Sequence, residues 1–385
     1  MPTPAQIPGA QTEPNTAPQP LAAGAQAATP RRVRLAMVGA GIYPRDAHLP
    51  ALAHLQERFE LAAIFSRSES SARALAEHWH SLTAAAGHEA GANSPSSQST
   101  PELFTDLAAL FARDDIDAVD IALPIPVQAP VVAQALAAGK HVVSEKPIAP
   151  TRAEAQSLID LHRRHPECVW MVAENWRYEE AFVRAAQLLQ SDAIGRPVVA
   201  HWAQYTPMTP ASKYYVTDWR REGEFAGGLL LDGGVHYISA LRMLLGEVTS
   251  VAAMVKKASH DLNPVDTLTA TLQFASGVQV SYLNTFAVGT PFSATLTIVG
   301  DGGSLRVERG KLELAGPAGA GPGKGVEEIR CAFYNGVENE LAAFGAAVAE
   351  GAPHRNSPLE ALTDFAVVEA MLASAADGQF HAPVI

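Results

Sequence analysis

Three side chains in this sequence are of the types that manage a proton at an oxygen atom. Lys146 ends the run Gly139-Lys140-His141-Val142-Val143-Ser144-Glu145-Lys146-Pro147, and Asp232 and His236 lie in Gly227-Gly228-Leu229-Leu230-Leu231-Asp232-Gly233-Gly234-Val235-His236. An unperturbed imidazole titrates at about 6.5, which suits a general base or acid near neutral pH. An ammonium group beside the same oxygen stabilises developing alkoxide charge without losing its own proton. Asp232 precedes His236 by four residues, so on a helical turn the two share one face and the carboxylate is placed to orient Lys146 or a substrate. A lone lysine after a strand is ordinarily a solvated end, and a lone histidine in a glycine-rich segment is ordinarily structural. The chemistry therefore depends on a scaffold that brings the three together.

The first half of the chain reads as such a scaffold. Val33 to Val38 is a short apolar run, the mark of a buried parallel strand, and it ends in Gly39-Ala40-Gly41. A helix to about Glu57, a strand Phe59 to Phe65 and a helix Ser70 to Trp79 follow. Residues 84–101 carry Gly, Ser, Pro and Asn and read as a surface insertion before a helical Glu102 to Phe111. A strand Ala118 to Leu123, a helix Gln128 to Ala138 closed by Gly139, and a strand His141 to Ser144 restore the alternation. The expectation is an α/β fold with a doubly wound parallel sheet.

Gly39-x-Gly41-x-x-Pro44 sits between a strand and a helix, which lets backbone approach a pyrophosphate and aims a helix N-terminus at it. A glycine-rich turn is often only a turn; the strand-helix context favours dinucleotide binding. The expected cofactor contacts are Gly39, Gly41, Ile42 and Tyr43 in this turn, Ser66 and Arg67 after the second strand, and Leu123, Pro124, Glu145 and Lys146 after later strands. Where an acidic residue would hold the ribose hydroxyls of NAD, the sequence has Ser66-Arg67-Ser68. A guanidinium flanked by hydroxyls suits a 2′-phosphate, so NADP is expected ahead of NAD. The alternative for Arg67 is a solvated helix-cap residue.

Past Asn175 the texture changes. Thr267 to Phe274 alternates polar and apolar residues with period two, and Ala275-Ser276-Gly277, Asp301-Gly302-Gly303 and Arg309-Gly310 punctuate further strands. This predicts an antiparallel meander, closed by helices Glu338 to Glu350 and Pro358 to Ala375. The 385 residues suffice for two domains, each with its own core. The expected division is a disordered tail over 1–30, a nucleotide-binding domain over 31–175 and an α+β substrate and oligomerisation domain over 176–385. The tail holds 7 of the 27 prolines and no signal-peptide pattern, although an organellar address is an alternative.

With 28 Lys plus Arg against 40 Asp plus Glu the formal charge is −12, which disfavours nucleic acid and anionic membranes as partners. No apolar run reaches the ~18 residues a bilayer span requires, and two distant cysteines, Cys168 and Cys331, fit a reducing compartment, here expected to be the cytoplasm. His78-Trp79-His80 lacks a third ligand nearby and reads as a helix end, so no metal is expected.

The combination of Ala138-Gly139-Lys140-His141-Val142, Glu145-Lys146-Pro147 and Asp232-x-Gly234-x-His236 resembles the family of glucose-fructose oxidoreductase, inositol dehydrogenase and MocA. His48-x-Pro50-Ala51-Leu52, Asn175-x-Arg177-Tyr178, Ile194-Gly195-Arg196-Pro197 and Trp219-Arg220 extend the similarity. The resemblance implies a Rossmann domain followed by an α+β domain with a large, open, mainly antiparallel sheet whose outer face makes a homo-oligomer, a dimer or larger. It also implies Lys146, Asp232 and His236 grouped over the nicotinamide, a cis Lys146-Pro147 bond, and substrate contacts from Arg177, Tyr178, Trp219 and Arg220. Trp176, Tyr205, Tyr214 and Tyr215 are either pocket aromatics or ordinary core and rim residues. Pro124-Ile125-Pro126-Val127-Gln128 replaces the family's Pro-Asn-x-x-His, and Ser239 replaces an Asp, so no member's substrate carries over. The function expected is NADP-preferring hydride transfer between nicotinamide and a carbinol of a sugar, polyol or cyclic diol. The alternative is a non-catalytic NADP-sensing regulator that binds a protein partner, a role in which Lys146 and His236 would have no purpose.

Overall fold

Val33-Arg34-Leu35-Ala36-Met37-Val38 is apolar at all but one position, as a strand covered on both faces must be, and it forms the central strand β1 (Val33–Val38) of a parallel sheet. The computed structural model describes residues 31–89, 100–223, 225–291, 294–316 and 325–385. The expected tail, and most of the expected insertion, lie outside the described residues.

On one side of β1 run β2 (Phe59–Phe65) and β3 (Glu102–Phe104), and on the other β4 (Ala118–Ile121), β5 (His141–Glu145) and β6 (Trp170–Ala173), giving the order β3-β2-β1-β4-β5-β6. Helices α1 (Leu49–His54), α2 (Glu69–Glu89), α3 (Leu107–Phe111), α4 (Ile125–Ala137) and α5 (Arg152–His162) connect them. The order reverses between β1 and β4, so a crevice opens at the carboxyl ends of those strands.

Three sequence expectations change here. Helix α2 continues through Ala84 and Ala85 to Glu89 instead of yielding to a loop, because alanine sustains a helix that Trp79 and Leu82 already anchor on the core. Glu102 to Phe111 is not one helix: Asp106 accepts a hydrogen bond from the Ala108 amide at 2.8 Å, a cap that starts α3 and leaves Glu102–Phe104 to extend the sheet edge. Strand β6, whose Trp170 to Ala173 are all buried, was not foreseen.

The second half supplies α6 (Glu180–Gln190), β7 (Pro197–Tyr205), α7 (Asp218–Glu222), α8 (Leu229–Asp232), α9 (Gly234–Leu245), β8 (Val248–Lys256), β9 (Thr267–Phe274) and β10 (Gln279–Thr285). After these come β11 (Leu296–Gly300), β12 (Ser304–Glu308), β13 (Lys311–Ala315), β14 (Val326–Arg330), α10 (Gly336–Glu350) and α11 (Pro358–Asp377). Eight strands form one sheet in the order β14-β13-β12-β11-β7-β10-β9-β8, antiparallel except where β10 joins β7. One face buries Trp202, Leu272 and Tyr282 against Ile238 and Leu241 of α9 and Val367 and Val368 of α11. The other exposes Val199, Thr269, Thr271, Ser281 and Val299. Helix α10 returns to the first sheet, where Leu341 and Phe344 join Val33, Met37 and Phe59.

Candidate active site

The glycine turn is demanded by its neighbours. Gly39 has φ +122°, and a Cβ there would lie 2.4 Å from the Ala122 carbonyl oxygen, so the end of β1 passes directly over the end of β4. A Cβ on Gly41 would meet nothing within 4 Å, leaving open space ahead of the helix. Ile42 and Tyr43 are half-buried behind that space. Pro44 opens a π-helical turn, Pro44–His48, that leads into α1. It is buried, and its missing N–H costs nothing in a first turn. Half-buried Leu123 and exposed Pro124 border the same opening. This cradle of backbone at a sheet switch point fits a dinucleotide pyrophosphate.

Beyond β2, Ser66 donates its amide to the Phe104 carbonyl at 3.1 Å. Arg67 is exposed and has no hydrogen bond or ion pair to any described residue. The helix cap is Ser68, whose hydroxyl accepts the Ser71 amide at 3.2 Å, so Arg67 is not the cap.

Lys146 follows β5 through a cis peptide bond to Pro147. Gln128 is buried and donates to the carbonyls of Glu145 and Pro147, which fixes the turn that presents Lys146. The ammonium group reaches Asp232 Oδ1 at 2.8 Å and the Asp232 carbonyl at 2.7 Å. Asp232 Oδ2 accepts Arg220 Nε at 2.9 Å, and the Arg220 guanidinium lies 3.9 Å from the Trp219 ring centre. Burial alone would lower the Lys146 pKa, but Asp232 and Glu145 hold it above the usual lysine range. Burial would likewise raise Asp232, yet Lys146 and Arg220 keep it well below the carboxylate range. Both partners are charged at neutral pH.

Asp232 closes α8 and His236 lies in the first turn of α9. Gly233 joins the two helices where a Cβ would stand 2.6 Å from the Phe286 ring. Across the cleft, Glu174 Oε1 lies 2.7 Å from His236 Nδ1, a partner the sequence reading missed. Its acid sits just past β6, the unforeseen strand, and directly before Asn175-Trp176-Arg177; recognising that strand would have placed an acid at its carboxyl end. A second cluster lies beneath: fully buried His48 meets Asp120 Oδ2 at 2.7 Å and Glu145 Oε1 at 3.0 Å. Burial alone would lower the His48 pKa, but those two carboxylates raise it well above the imidazole range, so a cation staples β4 to β5 beside Lys146.

Two expected substrate contacts are corrected. Arg177 is buried and committed to Asp364 at 2.9 Å and Glu360 at 3.2 Å, with Arg242 on the same Asp364 at 2.6 Å; its charge ties the 3₁₀ turn Asn175–Arg177 to α11 and is not free for a ligand. Tyr178 is buried and its hydroxyl accepts the Arg355 amide at 2.9 Å. Arg220 meets the Asp232 that holds Lys146, and Trp219 stacks on the Arg220 guanidinium. Trp176 packs edge-on to Phe182, Trp202 and Tyr237 and tilts over His236 with ring centres 6.3 Å apart. Tyr215 instead donates outward to Asp261 at 2.9 Å. On α2, His80 is exposed and half-buried His78 meets the Arg45 carbonyl at 3.2 Å, while Trp79 between them enters the core.

The arrangement sets a nucleotide cradle beside an ammonium donor whose carboxylate partner, Asp232, lies four residues before an imidazole. The family model "Oxidoreductase family, NAD-binding Rossmann fold" matches residues 33–173, and the "GFO/IDH/MocA C-terminal domain" matches residues 182–306. The chain is 33% identical over 368 residues to the dehydrogenase FPY6 of Fusarium mangiferae, covering 89% of this chain and 97% of that protein. It is 31% identical over 329 residues to the dTDP-3,4-didehydro-2,6-dideoxy-alpha-D-glucose 3-reductase of Streptomyces violaceoruber, covering 83% and 86% respectively. A solved oxidoreductase from Thermotoga maritima superposes with a TM-score of 0.79 at 32% identity, covering 91% of this chain and 98% of that one.

Proposed function

This chain belongs to the Gfo/Idh/MocA family of NAD-binding oxidoreductases, and from that premise we propose that it transfers a hydride between NADP and a carbinol of a sugar, polyol or cyclic diol. The observation that carries the reading is Asp232 clamped between Lys146 and Arg220, one helical turn before His236. No structural logic of a regulator would hold a desolvated ammonium there. The sugar-like substrate class also follows the relative that is named a keto-sugar reductase.

A bound nicotinamide supplies the hydride acceptor for oxidation, or the donor for reduction. Gly39, Gly41, Ile42 and Tyr43 hold the pyrophosphate end, with Leu123, Pro124 and Glu145 lining the way to Lys146. Lys146 donates a hydrogen bond to the substrate oxygen and stabilises its alkoxide character. His236 Nε2 takes the hydroxyl proton in oxidation and returns it in reduction. Asp232 keeps Lys146 charged and aimed, and Arg220 and Trp219 border the substrate. Ser66 and Arg67 select the 2′-phosphate of NADP, since Arg67 is the uncommitted cation at that edge. Val199, Val299 and Met254, exposed on the outer face of the large sheet among Thr269, Thr271 and Ser281, support a homodimer through that face.

The test is absorbance at the reduced-nicotinamide band with a panel of sugars, polyols and dihydrodiols, and of their carbonyl products, with NADP and NAD in parallel. Turnover that prefers NADP and collapses in Lys146→Met is expected. Tight cofactor binding without turnover on any member of the panel, in either direction, would move a sensor role ahead.

A further inference from the structure

We propose that Glu174 is the positioning residue for His236: its carboxylate accepts a hydrogen bond from Nδ1–H, orients the ring and fixes the tautomer that leaves Nε2 free to accept. The inference deepens the hydride-transfer reading above and rests on it for the catalytic consequence, while the pairing itself stands on geometry. Glu174 Oε1 and His236 Nδ1 are 2.7 Å apart, with the Glu174 side chain only 3% exposed and the ring 19% exposed. The ring therefore has one edge sealed against a carboxylate and one edge open. Nε2 has no hydrogen bond to any described residue.

The carboxylate is held in place from several sides. Its Oε1 also accepts the Trp176 amide at 3.3 Å, the cap of the 3₁₀ turn. The Glu174 carbonyl accepts Asn356 Nδ2 at 3.1 Å, and the Asn356 carbonyl in turn accepts the Val172 amide at 3.1 Å. On the histidine side, Ser239 donates its hydroxyl to the His236 carbonyl at 2.7 Å, and Trp176 lies against the ring. A buried carboxylate on one imidazole nitrogen, with the other nitrogen facing a cleft, is the arrangement that orients a general base. A pair serving stability alone has no need of an open edge.

The charges around the pair come from five further places in the fold. Lys146 after β5 and Arg177 in the 3₁₀ turn are cations that reach Glu174. Glu340 of α10 and Asp364 of α11 are carboxyls that feel it. Asp232 of α8 lies beyond Lys146 and offsets its charge. Burial would push Glu174 up, but His236 first, then Arg177 and Lys146, hold it below the usual carboxylate range. It is thus ionised at neutral pH and faces Nδ1 as an acceptor.

The experiment uses the full-length protein with ¹⁵N-labelled histidine, following the ring nitrogens of His236 against pH in wild type and Glu174→Gln, with His236→Asn to identify the signals. Wild type is expected in the Nδ1–H form, and Glu174→Gln, whose amide can donate to Nδ1 as well as accept from it, in a mixture of the two tautomers. For alcohol oxidation, kcat should fall tenfold or more in Glu174→Gln with cofactor affinity unchanged, and Glu174→Asp should recover part of the loss. An Nε2–H wild type, or full activity in Glu174→Gln, overturns the proposal. So does a loss that Glu174→Asp does not recover and that falls equally on cofactor affinity, the signature of a merely structural contact. If Glu174→Gln does not fold, Glu174→Asp carries the same comparison, its shorter side chain loosening the hold on the ring. An Nδ1–H wild type that turns over no substrate supports the pairing and counts against the dehydrogenase reading alone.

Discussion

Lys146 donates two of its three ammonium protons to one residue, to the Asp232 carboxylate at 2.8 Å and to the Asp232 carbonyl at 2.7 Å. Because an ammonium has three donors, one proton is left to aim at a substrate oxygen, and its direction is set by the other two. Asp232 is thereby an aiming device as well as a counter-charge.

Asp232→Asn tests that role while keeping the side chain's shape. With the anion gone, burial lowers the Lys146 pKa unopposed by its main partner. The expected outcome is a loss in kcat/KM of roughly 10² to 10³, the scale for removing one preorganised electrostatic group. The high-pH limb should also move to lower pH, with cofactor affinity unchanged. Steady-state kinetics across pH with fluorescence titration of the cofactor provide the check; an unmoved limb would remove Asp232 from control of Lys146.

The pieces of this site differed in how visible they were. Gly39 and Gly41 sit in a local strand-turn-helix pattern, and Lys146, Asp232 and His236 in two glycine-rich runs that a family resemblance singled out. Glu174 and Asp120 are acids at strand ends with no local signature, and His48 was legible only as part of a family motif. Their roles come from pairing of β4, β5 and β6, contacts that join residues 72, 97 and 62 apart in sequence. Arg177 misled for the opposite reason. An arginine in a conspicuous motif suggested a ligand, whereas Asp364, 187 residues later, consumes its charge.

Glu340 of α10 is buried beneath the site. Burial first, then Glu145, raise its pKa well above the carboxylate range, so it keeps its proton in the folded state at pH values where the unfolded chain has released it. A raised acid pKa gives stability that declines as pH climbs above the unfolded value of about 4.3. Glu340→Gln removes that titration, and its amide oxygen still accepts Asn356 Nδ2, now at 3.1 Å from Oε2. Relative to wild type the variant should gain stability between pH 5 and pH 8 in urea denaturation. A stability difference that is flat over this range would show that Glu340 ionises in place.

Asp364 stands between Arg177 and Arg242, whose side chains are only 4% and 3% exposed. Asp364→Ala leaves two desolvated guanidinium groups to share the half-exposed Glu360, with the exposed Glu247 reaching Arg242 alone. Breaking such a buried pair costs about 3 to 5 kcal/mol, so a pronounced drop in Tm is expected. A change of under about 1 kcal/mol, the scale of an exposed pair, would mean that water already reaches the cluster.

Arg67 offers a selective test, since it is exposed past β2 and its guanidinium has no hydrogen bond or ion pair to any described residue. Arg67→Ala should weaken NADPH by about 1.5 to 3 kcal/mol, the worth of a hydrogen bond to a charged group, and leave NADH nearly unchanged. Titration of both cofactors into both proteins decides it. Equal losses would assign Arg67 to the fold, and no loss would remove the preference for NADP.

In the proposed reaction Lys146 and His236 act on one substrate oxygen. His236→Asn should lower turnover by roughly 10² to 10⁴, the range for general acid-base catalysis, because Nε2 no longer takes the proton although the pocket keeps its shape. Lys146→Met should lower it on the scale of about 2.7 to 4 kcal/mol for a lost donor to a developing oxyanion. If both act in one proton transfer, the second substitution finds little left to remove, and the double variant should fall well short of the summed losses. Two residues acting at separate steps or separate places would instead give additive losses, within the ~0.3 to 0.5 kcal/mol typical of independent sites. The measurement is kcat and kcat/KM for wild type, both single variants and the double, each with its cofactor affinity. Strict additivity, or full activity in either single variant, would take that residue out of the mechanism.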